Sequence, residues 1–360
     1  MKKIRVMIVE DSAVTRELLR HIVGRDPRLE VAAAVESAEE ALRILENVSP
    51  DVISMDIRLP GMDGMEATKL IMTQRPTPIV VIAASVVSED LNISINALRA
   101  GALSVMEKPV GVTNADYDSV AERICTQLAI MSQVKLVRQR PMKEYARPAV
   151  QSAAATGSGS KITRAVNSRM KMLGIVASTG GPSAVLNLLC GLGGQFPLPI
   201  LVVQHITSGF LEGFVAWLAT NCPLKVVAAR GGEVPMPGTV YVAPSERHLC
   251  IEGAQLKLTA TPPVSFQRPS GTVLLQSMAS NLGRRGMGVV LTGMGDDGAQ
   301  GLLEMRQAGG YTFAEDESTA VVYGMPAVAF QLGAVCESLP LTMIAARISE
   351  KVLAETEPNP

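Results

Sequence analysis

Ile4-Arg5-Val6-Met7-Ile8-Val9-Glu10-Asp11-Ser12 reads as a short apolar strand that ends in two carboxylates and a helix cap. Ser12 is the kind of residue whose side-chain oxygen accepts from the first free N–H groups of a helix. Outward from this stretch the pattern repeats. Val31 to Val35, Val52-Ile53-Ser54-Met55-Asp56, Ile79-Val80-Val81-Ile82-Ala83 and Ser104-Val105-Met106 are short apolar runs with helical patterns between them. Such alternation predicts a parallel sheet covered by helices on both faces.

Ligands of open parallel sheets bind beyond the carboxyl ends of the strands. Glu10 and Asp11 follow the first strand, Asp56 ends the third, Ser85 follows the fourth and Lys108-Pro109 follows the fifth. The topology brings all of them to one rim. Three clustered carboxylates repel one another without a cation, and magnesium suits carboxylate and phosphate oxygens. Asp56 is then a candidate nucleophile toward a phosphoryl group, with Ser85 and Lys108 to hold the phosphoryl oxygens.

Val9-Glu10-Asp11-Ser12, Met55-Asp56-Ile57-Arg58-Leu59-Pro60-Gly61-Met62-Asp63-Gly64, Ala84-Ser85 and Lys108-Pro109 together resemble a response-regulator receiver domain over residues 1–124. The resemblance implies a flavodoxin-like fold. It also implies that Asp56 accepts phosphate from a sensor histidine kinase and that Glu10 and Asp11, with Asp56, hold Mg2+. One position departs from the family: Val105 stands where an aromatic switch residue is usual, three residues before Lys108. That implies an altered conformational readout of phosphorylation.

Residues 125–168 read as a linker. A helix frays into a basic stretch carrying Lys135, Arg138, Arg140, Lys143 and Arg147, read as a solvated face, and residues 148–160 are small and polar. A second series of strands and helices spans 169–355, with strands at Met172 to Ala177, Pro199 to Val203, Val226 to Ala229, Thr239 to Ala243 and Met287 to Leu291. His248 to Ile251 and Gln255 to Leu258 flank Glu252-Gly253-Ala254 and predict a hairpin. The expectation is a doubly wound, mostly parallel α/β domain with an antiparallel addition.

Three residues at strand ends of this second half carry candidate chemistry. Ser178 lies in Ala177-Ser178-Thr179-Gly180-Gly181-Pro182, between a strand and a helix, where backbone N–H groups favour a developing negative charge. His205 ends its strand; of the other two histidines, His21 reads as helix surface and His248 as a residue beside the hairpin that lines a pocket. Gly293-Met294-Gly295-Asp296-Asp297-Gly298 fits Gly-x-Gly-x-x-Gly, with Glu315 and Asp316 downstream where a ribose-binding acid is expected. Two aspartates in a pyrophosphate loop are electrostatically wrong, whereas Asp297 orienting His205 accounts for the same loop. Ser178 as nucleophile, His205 as base and Asp297 as orienting carboxylate then make an acyl-transfer set, with backbone N–H groups near Ser178 and Met294 facing the oxyanion.

Gly174-Ile175-Val176-Ala177-Ser178-Thr179-Gly180-Gly181, Gln204-His205, Arg268-Pro269-Ser270, Thr292 to Gly298 and Tyr323-Gly324-Met325-Pro326 resemble the catalytic domain of the chemotaxis protein-glutamate methylesterases, the CheB family. The resemblance implies hydrolysis of glutamate γ-methyl esters on methyl-accepting chemoreceptors, with release of methanol, and deamidation of receptor glutamines. It assigns Ser178, His205 and Asp297 to the triad and Thr179 and Met294 to the oxyanion hole, with no cofactor for the ester chemistry. The implied partners are a sensor kinase of the CheA type and the receptors themselves. Ile206-Thr207 and Gly271-Thr272 depart from the family's usual residues and leave the identity of the receptor open.

Composition narrows the alternatives. The 360 residues carry a net charge of -1 and only 3% aromatics, which argues against nucleic-acid binding. No run is long and apolar enough to insert in a membrane, and the start lacks the apolar core of a signal peptide. Cys125, Cys190, Cys222, Cys250 and Cys336 are dispersed, as in a reduced, cytoplasmic protein. A nucleotide-binding oxidoreductase built on residues 287–316 and a non-catalytic response regulator are the competing classes.

Overall fold

The computed structural model describes residues 2–83, 102, 104–109, 117–133, 170–206 and 210–354. Ser85, Thr207 and most of the expected linker lie outside them.

The first unit is built on β1 (Ile4–Val9), α1 (Ala13–Arg25), β2 (Leu29–Val35), α2 (Ala38–Val48), β3 (Val52–Met55), α3 (Gly64–Gln74), β4 (Ile79–Ala83), β5 (Ser104–Glu107) and α4 (Tyr117–Met131). The sheet order is β2-β1-β3-β4-β5 and every pair is parallel. Strand alternation splits β1 between two cores. Val6 and Ile8 pack with Leu19, Ile22, Ile124 and Leu128 on one face, and Met7 and Val9 with Ala41, Leu45, Ala67 and Ile71 on the other. Ser12 caps α1 by accepting from Thr15 N–H, as its sequence position predicts.

Helix α4 runs past residue 124, where the sequence put the end of the receiver. Cys125, Leu128, Ala129 and Met131, the first residues of the expected linker, pack in the same core. The helix begins at Tyr117, not at 125.

The second unit runs through β6 (Met172–Ala177), α5 (Gly181–Leu192), β7 (Ile200–Gln204), α6 (Leu211–Asn221), β8 (Lys225–Ala228) and β9 (Thr239–Val242). The hairpin β10 (His248–Glu252) and β11 (Gln255–Thr259) follows, then α7 (Gly271–Leu282), β12 (Gly286–Val290), α8 (Ala299–Gln307), β13 (Tyr311–Glu315), α9 (Met325–Gln331), β14 (Glu337–Leu339) and α10 (Leu341–Ala354). Seven strands form one parallel sheet in the order β14-β13-β12-β6-β7-β9-β8. The hairpin is a separate antiparallel pair, and its Leu249, Ile251 and Leu256 share a core with Leu274, Leu275 and Met278 of α7.

Every residue of β6, β7 and β12 is buried, as central strands covered on both faces must be. The chain leaves β6 in one direction to β7 and returns to its other side through β12. This reversal opens a crevice at the carboxyl ends of these strands. Strands β13 and β14 extend the sheet beyond what the sequence indicated. Strand β14 is three residues long, too short for a periodic signal.

Helices α7 and α8 cross closely at Gly301. A Cβ there would lie 2.5 Å from the backbone oxygen of Thr272, which cannot swing away as a side chain can. Overpacking of this kind costs about 1–3 kcal/mol. Gly301→Ala is therefore expected to lower the thermal midpoint of the second unit; an unchanged midpoint would show that α7 and α8 separate freely.

Candidate active site

The crevice gathers Ser178, His205 and Asp297 from three adjacent strand ends. Ser178 follows β6, His205 follows β7 and Asp297 lies between β12 and α8. Backbone bonds lock these ends together: Ser178 N–H donates to the Thr292 carbonyl at 3.0 Å and His205 N–H to the Ala177 carbonyl at 3.1 Å. The buried Gln204 amide adds a clamp, donating to the carbonyls of Ser178 at 2.8 Å and His205 at 3.1 Å. Gly293 permits the close approach, since a Cβ there would stand 2.7 Å from the Ser178 Cβ.

Asp297 is 2% exposed and fully engaged. Its Oδ2 lies 2.8 Å from His205 Nε2 and accepts from Gly271 N–H at 2.6 Å. Its Oδ1 accepts from Ser270 Oγ at 2.6 Å and Thr272 N–H at 3.0 Å. Three of these donors form the capped N-terminus of α7, where free N–H groups and the helix dipole favour an anion. Burial alone would raise the Asp297 pKa. The bonds from His205, Ser270 and Thr272 outweigh it and hold the carboxyl below the usual range.

An ionised Asp297 can only accept, so His205 Nε2 carries the proton in the neutral ring. Nδ1 is then the lone-pair nitrogen. It is buried and has no hydrogen-bond partner, Ser178 included. His205 thus keeps a buried nitrogen lone pair that no described group engages. In apo sites such bonds are often open and form with substrate.

Neither Thr179 N–H nor Met294 N–H has an acceptor among the described residues. Both flank the Ser178 turn, one following it in sequence and one following Gly293. Met294 is also an exposed apolar side chain at the rim.

His248 does not line a pocket. It is completely buried, its Nε2 3.1 Å from the Pro262 carbonyl and its Nδ1 accepting from Ser270 N–H at 3.1 Å. Its ring braces the cap of α7 from beneath. His21 is exposed on α1, as expected. Sequence reasoning missed the support that the α7 N-terminus gives Asp297. Its legible signal is Ser270 immediately before an apolar helical run, an N-cap signature.

In the first unit, Glu10 and Asp56 are buried at the carboxyl ends of the neighbouring β1 and β3, and Asp11 is exposed beside them. One carboxylate oxygen from each lies within 4.8 Å of the others. Lys108 Nζ bridges the pair, 2.9 Å from Glu10 and 2.8 Å from Asp56 Oδ2. Burial raises the Glu10 pKa against the opposing Lys108 bond. Burial would lower that of Lys108, but its bonds to Asp56 and Glu10 raise it. Both Glu10 oxygens stand 2.9 Å from Lys108 Nζ, and the cluster of hard oxygen donors fits a small divalent cation. Ser85 lies outside the described residues, and Val105 is half-buried against the core of β3 and β4.

The CheB methylesterase pattern matches residues 173–348, and the response regulator receiver domain pattern residues 6–115. The chain is 58% identical over 352 residues to protein-glutamate methylesterase/protein-glutamine glutaminase 2 of Paramagnetospirillum magneticum, with 98% of each chain covered. It is 41% identical over 355 residues to the protein of that name, without the number, from Nitrosospira multiformis, again with 98% of each covered. The crystal structure of the Thermotoga maritima CheB methylesterase catalytic domain is 34% identical, with a TM-score of 0.49 over 50% of this chain and 98% of that one. The chain thus belongs to the CheB family of protein-glutamate methylesterases/protein-glutamine glutaminases that carry a response regulator receiver domain.

Proposed function

We propose that this enzyme hydrolyses glutamate γ-methyl esters on methyl-accepting chemoreceptors, and deamidates receptor glutamines, under the control of phosphorylation at Asp56. The observation that carries the chemistry is the buried Asp297–His205 pair, 2.8 Å apart, which leaves the other His205 nitrogen without a hydrogen bond, at the end of the strand next to the one that Ser178 follows.

Ser178 Oγ attacks the ester carbonyl as His205 Nδ1 takes its proton. Asp297 stabilises the imidazolium, and the N–H groups of Thr179 and Met294 hold the oxyanion. Collapse breaks the bond to methoxide, which leaves as methanol with the proton from Nδ1. Water then attacks the acyl-enzyme, again with His205 as base, and frees the glutamate. A glutamine side chain follows the same path with ammonia as leaving group. No cofactor enters these steps.

In the receiver, Asp56 attacks the phosphoryl group delivered by a sensor kinase of the CheA type. Glu10, Asp11 and Asp56 would hold Mg2+, which when bound neutralises charge on the transferring phosphoryl. Lys108 and Ser85 hold the phosphoryl oxygens. A phosphoryl group adds charge and strong acceptors, so it redirects the Lys108 bond now shared by Glu10 and Asp56. Regulation of the ester site is supported by Val321. A Cβ placed on Gly180, in the Ser178 turn, would stand 2.6 Å from the Val321 side chain, and Val321 packs against the receiver's hydrophobic cluster. An inter-domain contact of this kind shifts with a few kcal/mol. The five free cysteines support a cytoplasmic location.

Methanol release from methylated receptor membranes, with and without a small-molecule phosphodonor and Mg2+, tests the reading. Release that rises with donor is expected; none from protein that accepts phosphate would overturn the substrate. Ser178→Ala is expected to abolish release while Asp56 still takes up phosphate. Asp297→Asn should lower kcat by about 10³- to 10⁴-fold through loss of the correct His205 tautomer. Asp56→Asn, or removal of Mg2+ by chelation, should leave basal release intact and abolish stimulation, and stimulation that survives would put the regulatory phosphate elsewhere.

A further inference from the structure

One buried acid in the second unit has no part in the mechanism above. Glu315 ends β13 and is 1% exposed. Its Oε2 accepts from Thr292 N–H at 2.8 Å, and its Oε1 is buried without a hydrogen bond. Thr292 is the residue on which the nucleophile turn hangs. Its carbonyl accepts from Ser178 N–H at 3.0 Å, and its hydroxyl donates to the Thr179 carbonyl at 2.9 Å. The same hydroxyl accepts from Val322 N–H at 2.8 Å, tying in the segment that carries Val321. The Glu315 carboxyl thus stands one residue behind both the nucleophile and an oxyanion donor.

We propose that Glu315 is a positioning residue for the ester chemistry: acting through Thr292 in its neutral form, it holds the Ser178–Thr179 turn in register with the loop after β12, and its ionisation loosens that turn. The proposal rests on the reading of Ser178 as nucleophile.

The neutral form suits the site because an ionised carboxylate with one oxygen unsatisfied is costly to bury. Burial is the main influence on Glu315 and pushes its pKa up to about 7, against the opposing Thr292 N–H bond and the lesser pull of the Thr319 hydroxyl; neighbouring Asp316 raises it further. The other acids on adjoining elements are Glu317 in the same turn, Glu337 on β14, and Asp296 and Asp297 after β12. Glu337 is paired with Arg347, and Asp297 is held by His205 and α7. The sign follows. The unfolded chain loses this proton near the ordinary glutamate pKa, the folded chain only near neutrality. The site is therefore tightest on the acid side and loosens as pH rises through about 7.

The test is the rate at which a fluorophosphonate labels Ser178 in the full-length chain, followed by intact mass from about pH 5.5 to about pH 8.5. Taking the ratio of Glu315→Gln to wild type cancels every other pH-dependent contribution, which both proteins share. Gln keeps the acceptor for Thr292 N–H but cannot ionise. The ratio should lie near one at the acid end and rise about threefold or more above neutrality. Glu315→Leu, which leaves Thr292 N–H without its acceptor, should label about tenfold slower throughout while circular dichroism reports a folded chain. A ratio constant with pH, or a Leu variant labelled as fast as wild type, overturns the proposal. Ser178→Ala separates the two readings. If it is still labelled at the same rate, or wild type is not labelled at all, the nucleophile assignment fails and takes this proposal with it. If labelling needs Ser178 but the Gln ratio stays flat, the Glu315 proposal fails alone.

Discussion

The second unit is organised around one buried negative charge. Asp297 is removed from water, and a carboxylate in that position is tolerable only where donors converge on it. Four do: the His205 ring, the Ser270 hydroxyl and the first N–H groups of α7. Each hydrogen bond to a charged group contributes about 1.5–3 kcal/mol. Their sum keeps the charge in place, and the charge in turn fixes which nitrogen of His205 is free. The cap of α7, the hairpin brace through His248 and the close crossing at Gly301 are all means of bringing that helix N-terminus to one point.

The receiver meets the same problem, buried negative charge, with a different kind of donor. Two buried carboxylates, Glu10 and Asp56, face each other across adjacent strands, and Lys108 supplies the compensating charge. In the second unit the donors are fixed backbone and side-chain groups, and the anion is permanent. In the receiver the N–H groups of Ser12 and Ile57 each donate to one carboxylate, but the one charged donor shared by both is the Lys108 ammonium, at the end of a long side chain.

Much of this was legible in the sequence because parallel sheets put chemistry at strand ends. Ser178, His205, Asp297, Asp56 and Lys108 all follow short buried runs, and the fold sets His205 against Asp297 and Lys108 against Asp56. Asp297 was further marked by misfit, since two aspartates contradict the phosphate-binding reading of their glycine-rich loop. What stayed hidden depends on contacts between distant segments. Ser270 and Gln204 look like ordinary polar residues until the fold sets them against Asp297 and Ser178. His248 stands beside a hairpin in the sequence, yet its ring turns inward to the α7 cap. Strand β14 is too short for periodicity, and Leu128 and Met131, in the expected linker, continue the apolar face of α4 into the receiver core.

The strand order carries a consequence for how the protein is made. Strand β6, which emerges first from the second unit, pairs on one side with β12, and β12 leaves the ribosome only after the hairpin and α7. Contacts so far apart in sequence form late, because the loop between them must close first. The nascent chain therefore carries Ser178 and His205 long before it carries Asp297, the carboxylate that pairs with that histidine. Hydrolytic competence arrives as a single late event of synthesis, after the receiver has emerged and had time to fold.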